Sequence, residues 1–224
     1  MQIVVVGAGP AGMMLAHVLA RNGVAVRVLE RHPDFHREFR GEVLQPSALR
    51  HLDELGLHDT LVERGILRPA PEVAMFVDGK KKLGIAADGY GAGGSISQPR
   101  FLELLDERSR AFSSYRLEFD CGVAGLASKD GRVVGVTTND GALVEADLVV
   151  VCSGRNTPLR KQASATAKAL EPPYTVLWLR FDHASPVKGL AVYRQKTALM
   201  FAYATADDKT QVAWKADGAD VSEL

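Results

Sequence analysis

The chain opens with a short apolar run, a glycine-rich turn and an amphipathic segment. Ile3–Val6 is continuously apolar and mostly β-branched, which is typical of a strand buried on both faces of a parallel sheet. It stops at Gly7–Gly12, and from Met13 the apolar residues recur three and four positions apart, which predicts a helix ending near Asn22-Gly23. A second apolar run, Val24–Leu29, follows. The pattern therefore predicts strand, helix and strand.

The middle of the chain alternates helix patterns with turn signals. Apolar spacing predicts one helix from Pro46, a short one over His58–Glu63 and a third from Pro99 to about Phe112. The apolar runs on either side of Asp78-Gly79 predict a hairpin, because this dipeptide suits a tight turn between strands. We expect the glycine-rich stretch 88–94 to be a mobile loop.

Beyond residue 116 the pattern predicts strands and turns. Turn signals at 129–131 and 139–141 separate three short apolar runs, which predicts a three-stranded meander. The buried run Leu148–Val151 then ends at Cys152-Ser153-Gly154-Arg155. Alternating apolar positions predict four further strands, Thr175–Phe181, Leu190–Arg194, Ala198–Ala204 and Gln211–Lys215.

Composition narrows the class of protein. The 224 residues are 46% hydrophobic and 24% charged with no net charge, so the chain has no global attraction to nucleic acid or to an anionic membrane. It lacks the run of about 18 apolar residues that a membrane span requires. Because the first residues lead directly into a predicted strand, we expect no cleavable signal. Cys121 and Cys152 have neither disulfide-scaffold nor metal spacing. We expect a cytoplasmic protein without a metal site.

The glycine-rich turn carries the candidate chemistry. Gly7-Ala8-Gly9-Pro10-Ala11-Gly12 has the spacing G-x-G-x-x-G, in which the first glycine makes the tight turn, the second admits a pyrophosphate and the third lets the helix pack on the strand. Free amides at the helix start would face the phosphates. Glu30, at the end of the second strand, stands where an acid accepts hydrogen bonds from ribose hydroxyls. These features predict a bound adenine dinucleotide.

Further motifs lie along the chain in a recognisable order. They are the glycine turn, Glu30-Arg31, the segment 39–46 leading into 52–57, Gln98 ahead of a helix, the meander, and a buried strand ending in Gly154-Arg155 with Arg160 after it. In this order the sequence resembles the FAD-dependent aromatic hydroxylases, the single-component flavoprotein monooxygenases like p-hydroxybenzoate hydroxylase. The resemblance covers nearly the whole chain but only roughly the first half of a family member.

The resemblance implies roles for particular residues. The glycines and Glu30 would hold the ADP half of FAD, Arg40 would lie near the pyrophosphate and the nicotinamide donor, and Gln98 would contact the ribityl side. A guanidinium at position 40 suits phosphate because it gives bidentate contacts, although a solvated loop charge is the alternative. The implied cofactor-binding residues are Gly7, Gly9, Pro10, Ala11, Gly12, Glu30, Arg31, Arg40, Gln98, Ser153 and Gly154.

Two departures from the family pattern bear on function. Ser153 stands where the family has Asp in an Asp-Gly motif that serves flavin and nicotinamide binding. Nothing in 175–224 matches the second, Gly-Asp motif that holds the ribityl-phosphate part of the flavin. The chain could then be a fragment, or need a second polypeptide or a second copy to complete the site. Exposed apolar surface left by the missing part predicts dimerisation or poor solubility.

The predicted fold is mixed α/β. A Rossmann-like FAD-binding domain of the glutathione-reductase type, with its meander, would comprise 1–68 and 97–172. A β-rich substrate domain, interleaved with it, would comprise 69–96 and 173–224. The large side chains of that second sheet are Trp178, Tyr193, Met200, Tyr203 and Trp214, for which core packing is favoured over substrate contact.

Three functions remain open from the sequence. The first is an FAD-dependent monooxygenase that hydroxylates a small aromatic substrate with NAD(P)H and O2, in which the flavin carries the chemistry and no catalytic side chain is identified. The second is a non-catalytic nucleotide-binding or interaction protein derived from such an enzyme, which Ser153 and the missing second flavin motif favour. The third, an NAD-dependent dehydrogenase, fits the meander and the Arg40 segment less well.

Overall fold

The computed structural model describes residues 1–36, 42–86, 90–155, 157–163, 168 and 174–217. The chain divides into two compact units, the first formed by 1–37 and 99–169 and the second by 38–98 and 170–224. Both contain helices and strands, which confirms the predicted mixed α/β class. Among the described residues, no helix has the length and apolar character needed to cross a membrane.

The elements of the described residues follow the chain in this order. The strands are β1 (Gln2–Val6), β2 (Ala25–Leu29), β3 (Val43–Leu44), β4 (Leu67–Pro69), β5 (Glu72–Val77), β6 (Lys80–Ala86), β7 (Gly94–Ile96), β8 (Tyr115–Glu118), β9 (Val123–Lys129), β10 (Arg132–Thr138), β11 (Leu143–Glu145), β12 (Leu148–Val151), β13 (Tyr174–Ala184), β14 (Leu190–Gln195), β15 (Ala198–Ala204) and β16 (Lys209–Asp217). The helices are α1 (Pro10–Arg21), α2 (Pro46–Glu54), α3 (His58–Glu63), α4 (Gln98–Ser109) and α5 (Leu159–Gln162).

The first unit is built on a parallel sheet in the order β12-β1-β2-β8. The central strand β1 is apolar because it is covered on both faces, with Val4 and Val5 fully buried. Helix α1 packs through Met13, Ala16 and Ala20, which recur at helical spacing. The predicted strand, helix and strand are confirmed.

The meander of β9, β10 and β11 belongs to the same unit and forms a separate antiparallel sheet. Its turns use Gly131 and Gly141 at positive φ, as the turn signals predicted. Val136 and Val144 pack in one core cluster with Val4 and Val6 of the parallel sheet. The meander therefore packs against the face of the parallel sheet that carries Val4 and Val6.

The second unit contains a six-stranded sheet in the order β13-β16-β15-β14-β5-β6. Asp78 and Gly79 both have positive φ, which is the type I′ geometry that the hairpin prediction requires. A three-stranded sheet, β3-β7-β4, was not predicted, because strands of two or three residues carry no readable periodicity. Gly94, which we expected to end a mobile loop, begins β7, and residues 88–89 of that stretch lie outside the described residues.

The six-stranded sheet has two faces with different side chains. Strand register places Arg180, Gln211 and Tyr203 side by side on one face, which we call the Tyr203 face, with Trp178 and Phe201 in the next row. The opposite face carries three other large side chains, Trp214, Met200 and Tyr193. The five large residues singled out from the sequence are thus divided, Trp178 and Tyr203 on one face and the others on the other.

Residues 42–68, assigned from the sequence to the nucleotide-binding domain, pack with the second unit. A packing unit need not coincide with the set of residues that hold a cofactor. Which segments form the functional domain therefore stays a prediction.

Candidate functional site

The turn from β1 into α1 contains three glycines, and at two of them close backbone contacts leave no room for a side chain. Gly7 has φ of +104°, and a Cβ there would lie 2.8 Å from the Cys152 carbonyl oxygen. A Cβ on Gly12 would lie 2.0 Å from the Gly7 carbonyl oxygen. At Gly9, by contrast, a Cβ would meet nothing within 4 Å, so this glycine faces open space. Two of the three glycines are therefore required by packing and the third borders a space.

The N-terminus of α1 is uncapped. Gly9 is its N-cap residue, no side chain caps the helix, and the first turn contains no acidic residue. The first amides of a helix have no partner within it, and the helix dipole adds partial positive charge there. Pro10 stands at the first helical position, where its missing N–H is no loss. The end of the helix is thus suited to an anion such as a phosphate.

Glu30 lies directly beside this turn. Its Oε2 accepts a hydrogen bond of 2.7 Å from the Ala8 amide, and its Oε1 accepts one of 3.1 Å from the His32 amide. The residue is only 3% exposed, so its position is tightly fixed. A carboxylate can accept several hydrogen bonds at once, which is the chemistry that recognition of sugar hydroxyls uses. The carboxylate points at the turn, as ribose recognition requires.

These groups border a cleft of about 540 Å³ that lies wholly within the first unit. Val6 and Leu29, at the ends of two parallel strands, contribute its floor. Ligands of open α/β sheets bind at this edge, outside the carboxyl ends of the strands. The predicted residues that line the cleft are Gly7, Gly9, Pro10, Ala11, Glu30, Arg31, Ser153 and Gly154.

Two of the predicted site residues that the structure describes do not line the cleft, and a third is not described. Gly12 lies behind the turn, where it allows the helix to approach Gly7. Gln98 begins α4 in the second unit, where its backbone N–H lowers the pKa of the Glu42 carboxyl. Arg40 lies outside the described residues. The roles assigned to Gln98 and Arg40 therefore stay predictions.

Sequence reasoning missed several residues of the cleft. Asn139 and Gly122 both line it, and a Cβ on Gly122 would lie 2.3 Å from the Asn139 amide nitrogen. The Asn-Asp-Gly sequence was interpreted only as a turn, and nothing in the sequence shows that the meander brings Asn139 to the cleft. Cys121 and Cys152 also line the cleft, and burial raises the pKa of both thiols.

Ser153 gives the late strand end a hydroxyl in place of the family's carboxylate. Its Oγ lies 2.8 Å from the Thr157 Oγ1, and both residues line the cleft. Gly154 follows with φ of +79°, a backbone conformation that favours glycine. The edge of the cleft formed by these residues is therefore polar but carries no charge of its own.

One group of side chains in the second unit has the spacing of a metal site. Asp53, His58 and Asp59 place one ligand atom each within 4.8 Å of one another. The Tyr90 hydroxyl donates to Asp53, and His58 Nδ1 lies 3.0 Å from the Asp59 carboxylate. Because these side chains already bind one another at an exposed surface, we assign no metal to them.

Comparison of sequences identifies relatives. The family model of the FAD binding domain matches residues 1–218. The chain is 31% identical to 6-methylpretetramide 4-monooxygenase of Streptomyces rimosus over 221 residues, which is 95% of this chain and 52% of that protein. It is 35% identical to squalene epoxidase 3 of Arabidopsis thaliana over 167 residues, which is 71% of this chain and 31% of that protein. The chain thus spans about half, or less, of these relatives.

Comparison of structures gives the same family of folds. PqsL from Pseudomonas aeruginosa superposes with a TM-score of 0.87 at 20% identity, over 100% of this chain and 62% of PqsL. The p-nitrophenol 4-monooxygenase PnpA from Pseudomonas putida superposes with a TM-score of 0.84 at 18% identity, over 99% of this chain and 60% of PnpA. At these identities the likeness concerns the fold. With the match over residues 1–218, this chain belongs to the FAD binding domain family of flavoprotein monooxygenases.

Proposed function

We propose that the cleft of the first unit binds the ADP half of FAD, and that the chain serves an FAD-dependent monooxygenase acting on a small aromatic substrate. The observation that carries the proposal is the Glu30 carboxylate, fixed by the Ala8 and His32 amides beside an uncapped helix N-terminus. An acid for the ribose and amides for the diphosphate together fit an adenine dinucleotide.

The residues of this chain would bind and orient the cofactor. The amides after Gly9 would receive the diphosphate, and Glu30 would accept the ribose hydroxyls. Arg40 and Gln98 would reach the diphosphate and the ribityl chain. FAD, when bound, supplies the redox chemistry, taking electrons from NAD(P)H and using O2 to hydroxylate the substrate. The side chains and backbone of the protein would hold the cofactor and substrate in place and exclude water.

Thermal denaturation with ADP tests the nucleotide site directly. A ligand at about 100 times its dissociation constant stabilises the native state by about 2.7 kcal/mol. For a chain of this size that corresponds to a rise in Tm of roughly 5–10 °C. Adenosine, which lacks the diphosphate, is the matched control and should shift Tm far less. Absence of any shift with ADP and with FAD would contradict the proposal.

Thiol alkylation locates the bound nucleotide. Cys121 and Cys152 line the cleft and both are free thiols, so bound ADP should shield them. Because burial raises the pKa of both thiols, the reaction is run at alkaline pH, where thiolate forms. Mass spectrometry measures the fraction of chains that are alkylated. At saturating ADP we expect the alkylation rate to fall to roughly the fraction of chains that carry no ligand. Unchanged alkylation despite measured ADP binding would place the ligand elsewhere.

A second candidate, nucleotide binding without catalysis, is favoured by Ser153. The Ser153 hydroxyl is hydrogen-bonded to Thr157 where the resembling family has a carboxylate. This candidate shares the ADP result but predicts no NAD(P)H oxidation by the FAD-loaded protein with any phenolic substrate. Oxidation by the loaded protein would eliminate it. The FAD binding domain match favours FAD over an NAD-dependent dehydrogenase.

A further inference from the structure

One end of the cleft in the first unit is formed by the meander and by the chain that follows β2. We call it the meander end, and its lining residues are Arg31, His32, Gly122, Val123 and Asn139. Backbone hydrogen bonds join its two parts. The Cys121 amide donates to the Glu30 carbonyl oxygen at 2.8 Å, and the Asp120 amide donates to the His32 carbonyl oxygen at 3.2 Å. The meander end is therefore a fixed part of the unit.

The turn between β10 and β11 holds Asn139 at this end. The Asn139 backbone N–H donates a hydrogen bond of 2.8 Å to the Gly122 carbonyl oxygen. Within the turn, the Thr138 hydroxyl donates to the Asp140 carboxylate, which also accepts the Ala142 amide at 3.3 Å. These two hydrogen bonds lower the pKa of the Asp140 carboxyl, so it stays ionised and the turn keeps this form at neutral pH.

The side-chain amide of Asn139 lies against Gly122. A Cβ on Gly122 would lie 2.3 Å from the Asn139 amide nitrogen and 3.5 Å from the Arg31 Cβ. Glycine at this position therefore leaves the space that the amide takes. Among the residues that the structure describes, none is hydrogen-bonded to this amide, although it borders the cleft. Its donor and its acceptor are thus both available to a ligand.

The shape of a nucleotide decides which of its parts reaches the meander end. The diphosphate at C5′ and the base at C1′ extend from opposite sides of the ribose, whose 2′ and 3′ hydroxyls would lie on Glu30. One Glu30 oxygen accepts the Ala8 amide, beside the helix start, and the other accepts the His32 amide, at the meander end. With the diphosphate at the helix N-terminus, the base is directed toward Arg31 and Asn139.

The other end of the cleft lies on the far side of the glycine turn. Strands β12 and β2 pair with opposite edges of β1, so Ser153, which follows β12, and Glu30, which follows β2, flank Gly7 from two sides. A base attached to a ribose on Glu30 therefore meets the meander end and not the end that carries Ser153.

A primary amide distinguishes purines by the groups on the edge of the ring. Adenine presents its 6-amino group as a donor beside the acceptor N7, and an asparagine pairs with both at once. Hypoxanthine and guanine present a 6-oxo group beside N7, and both of these accept. One of the two amide contacts is then lost and the Asn139 oxygen faces another oxygen.

We propose that Asn139 determines the base specificity of the cleft, so that a 6-amino purine is accepted and a 6-oxo purine is rejected. Thr138 and Asp140 act as positioning residues, because they hold the turn that presents Asn139 beside Gly122. The inference deepens the proposed function and rests on it.

Calorimetric titration of the unaltered chain with ADP and with inosine 5′-diphosphate tests the selection. The two probes share the ribose and the diphosphate and differ in the base alone. We expect inosine 5′-diphosphate to bind roughly tenfold or more weakly than ADP. Equal affinities, or tighter binding of inosine 5′-diphosphate, would overturn the inference.

Two substitutions of Asn139 separate hydrogen bonding from packing. In Asn139→Ala the amide is removed, so ADP should bind more weakly and the ratio of the two affinities should approach one. In Asn139→Asp the side chain keeps its size but only accepts, so the 6-amino group is still preferred and the ratio should persist while both affinities fall. A ratio that Asn139→Ala leaves unchanged would contradict the assignment.

The turn supplies a test of the positioning role. Asp140→Ala removes the acceptor that ties Thr138 to Ala142, so the ratio should fall even though Asn139 is present. Asp130→Asn, in the β9–β10 turn at the other end of the meander, is the control and should leave both affinities unchanged. Denaturation midpoints measured on the same samples show that each variant is folded.

The two probes also separate this inference from the proposed function. If both bind equally well, the nucleotide site stands and only the role of Asn139 is lost. If neither ADP nor FAD binds to the unaltered chain, the proposed function is wrong and the inference fails with it.

Discussion

Replacing Gly12 with alanine is expected to lower the free energy of unfolding by about 3 kcal/mol or more. The new Cβ would lie 2.0 Å from the Gly7 carbonyl oxygen and 3.2 Å from the Val5 Cγ1. The first neighbour is backbone at the end of the central strand, so the helix must move away from the sheet to relieve the contact. Chemical denaturation of the variant and of the unaltered chain measures the difference.

Gly9→Ala is the matched control for this prediction. A Cβ there meets nothing within 4 Å, and φ of −76° is open to any residue. The unfolding free energy should change by no more than about 1 kcal/mol, the range of N-cap effects. The methyl group would however stand in the open space beside the helix N-terminus, so ADP affinity should fall roughly tenfold or more, about 1.4 kcal/mol.

The two substitutions thus distinguish a loss of packing from a loss of nucleotide binding. Gly12→Ala should reduce stability and, through it, binding, whereas Gly9→Ala should reduce binding alone. Equal stability loss in both variants would contradict the geometry of the turn. Full ADP affinity in Gly9→Ala would contradict the placement of the diphosphate.

The elements that form the proposed nucleotide site can be predicted from the sequence because each depends on a local pattern of residues. The strand, turn and helix up to Arg21 each carry a periodicity or a glycine spacing, and the acid at position 30 follows at a fixed interval. The hairpin at Asp78-Gly79 is equally local, since the dipeptide supplies two residues with positive φ. These elements were predicted with nearly their observed bounds.

The neighbours of the buried polar residues of the second unit could not be predicted in this way. Tyr203 is the cross-strand partner of Gln211 and borders a small cavity with Ser95, and these residues come together only through the order and register of strands far apart in sequence. Strands β3 and β7 are too short to show a period, and Glu42 precedes one of them. Which large side chains share a face likewise depends on register, which alternation within a single strand does not give.

Replacing Glu30 with glutamine is expected to weaken ADP binding and to destabilise the fold. The Ala8 and His32 amides each donate to one carboxylate oxygen, whereas a glutamine offers one oxygen and an NH2 group. One buried N–H would then face another donor, which costs about 1–3 kcal/mol. Loss of a charged acceptor for the ribose should lower ADP affinity roughly tenfold to a hundredfold, measured by calorimetry.

Asp34→Asn is the control for this substitution, because Asp34 also accepts the amide two residues ahead, from His36 at 2.8 Å, but is exposed. Its stability and ADP affinity should stay close to those of the unaltered chain.

The negative charge of Glu30 also predicts that nucleotides with a 2′-phosphate bind weakly to the cleft. A carboxylate that receives the ribose hydroxyls repels a phosphate on the 2′ position, so adenosine 2′,5′-bisphosphate should bind far more weakly than adenosine 5′-monophosphate, which differs from it only in lacking the 2′-phosphate. In Glu30→Gln the repulsion is removed while the helix N-terminus remains, so the ratio of the two affinities should shrink. A ratio unchanged by Glu30→Gln would mean that the carboxylate does not contact the sugar, even if ADP binds in the cleft.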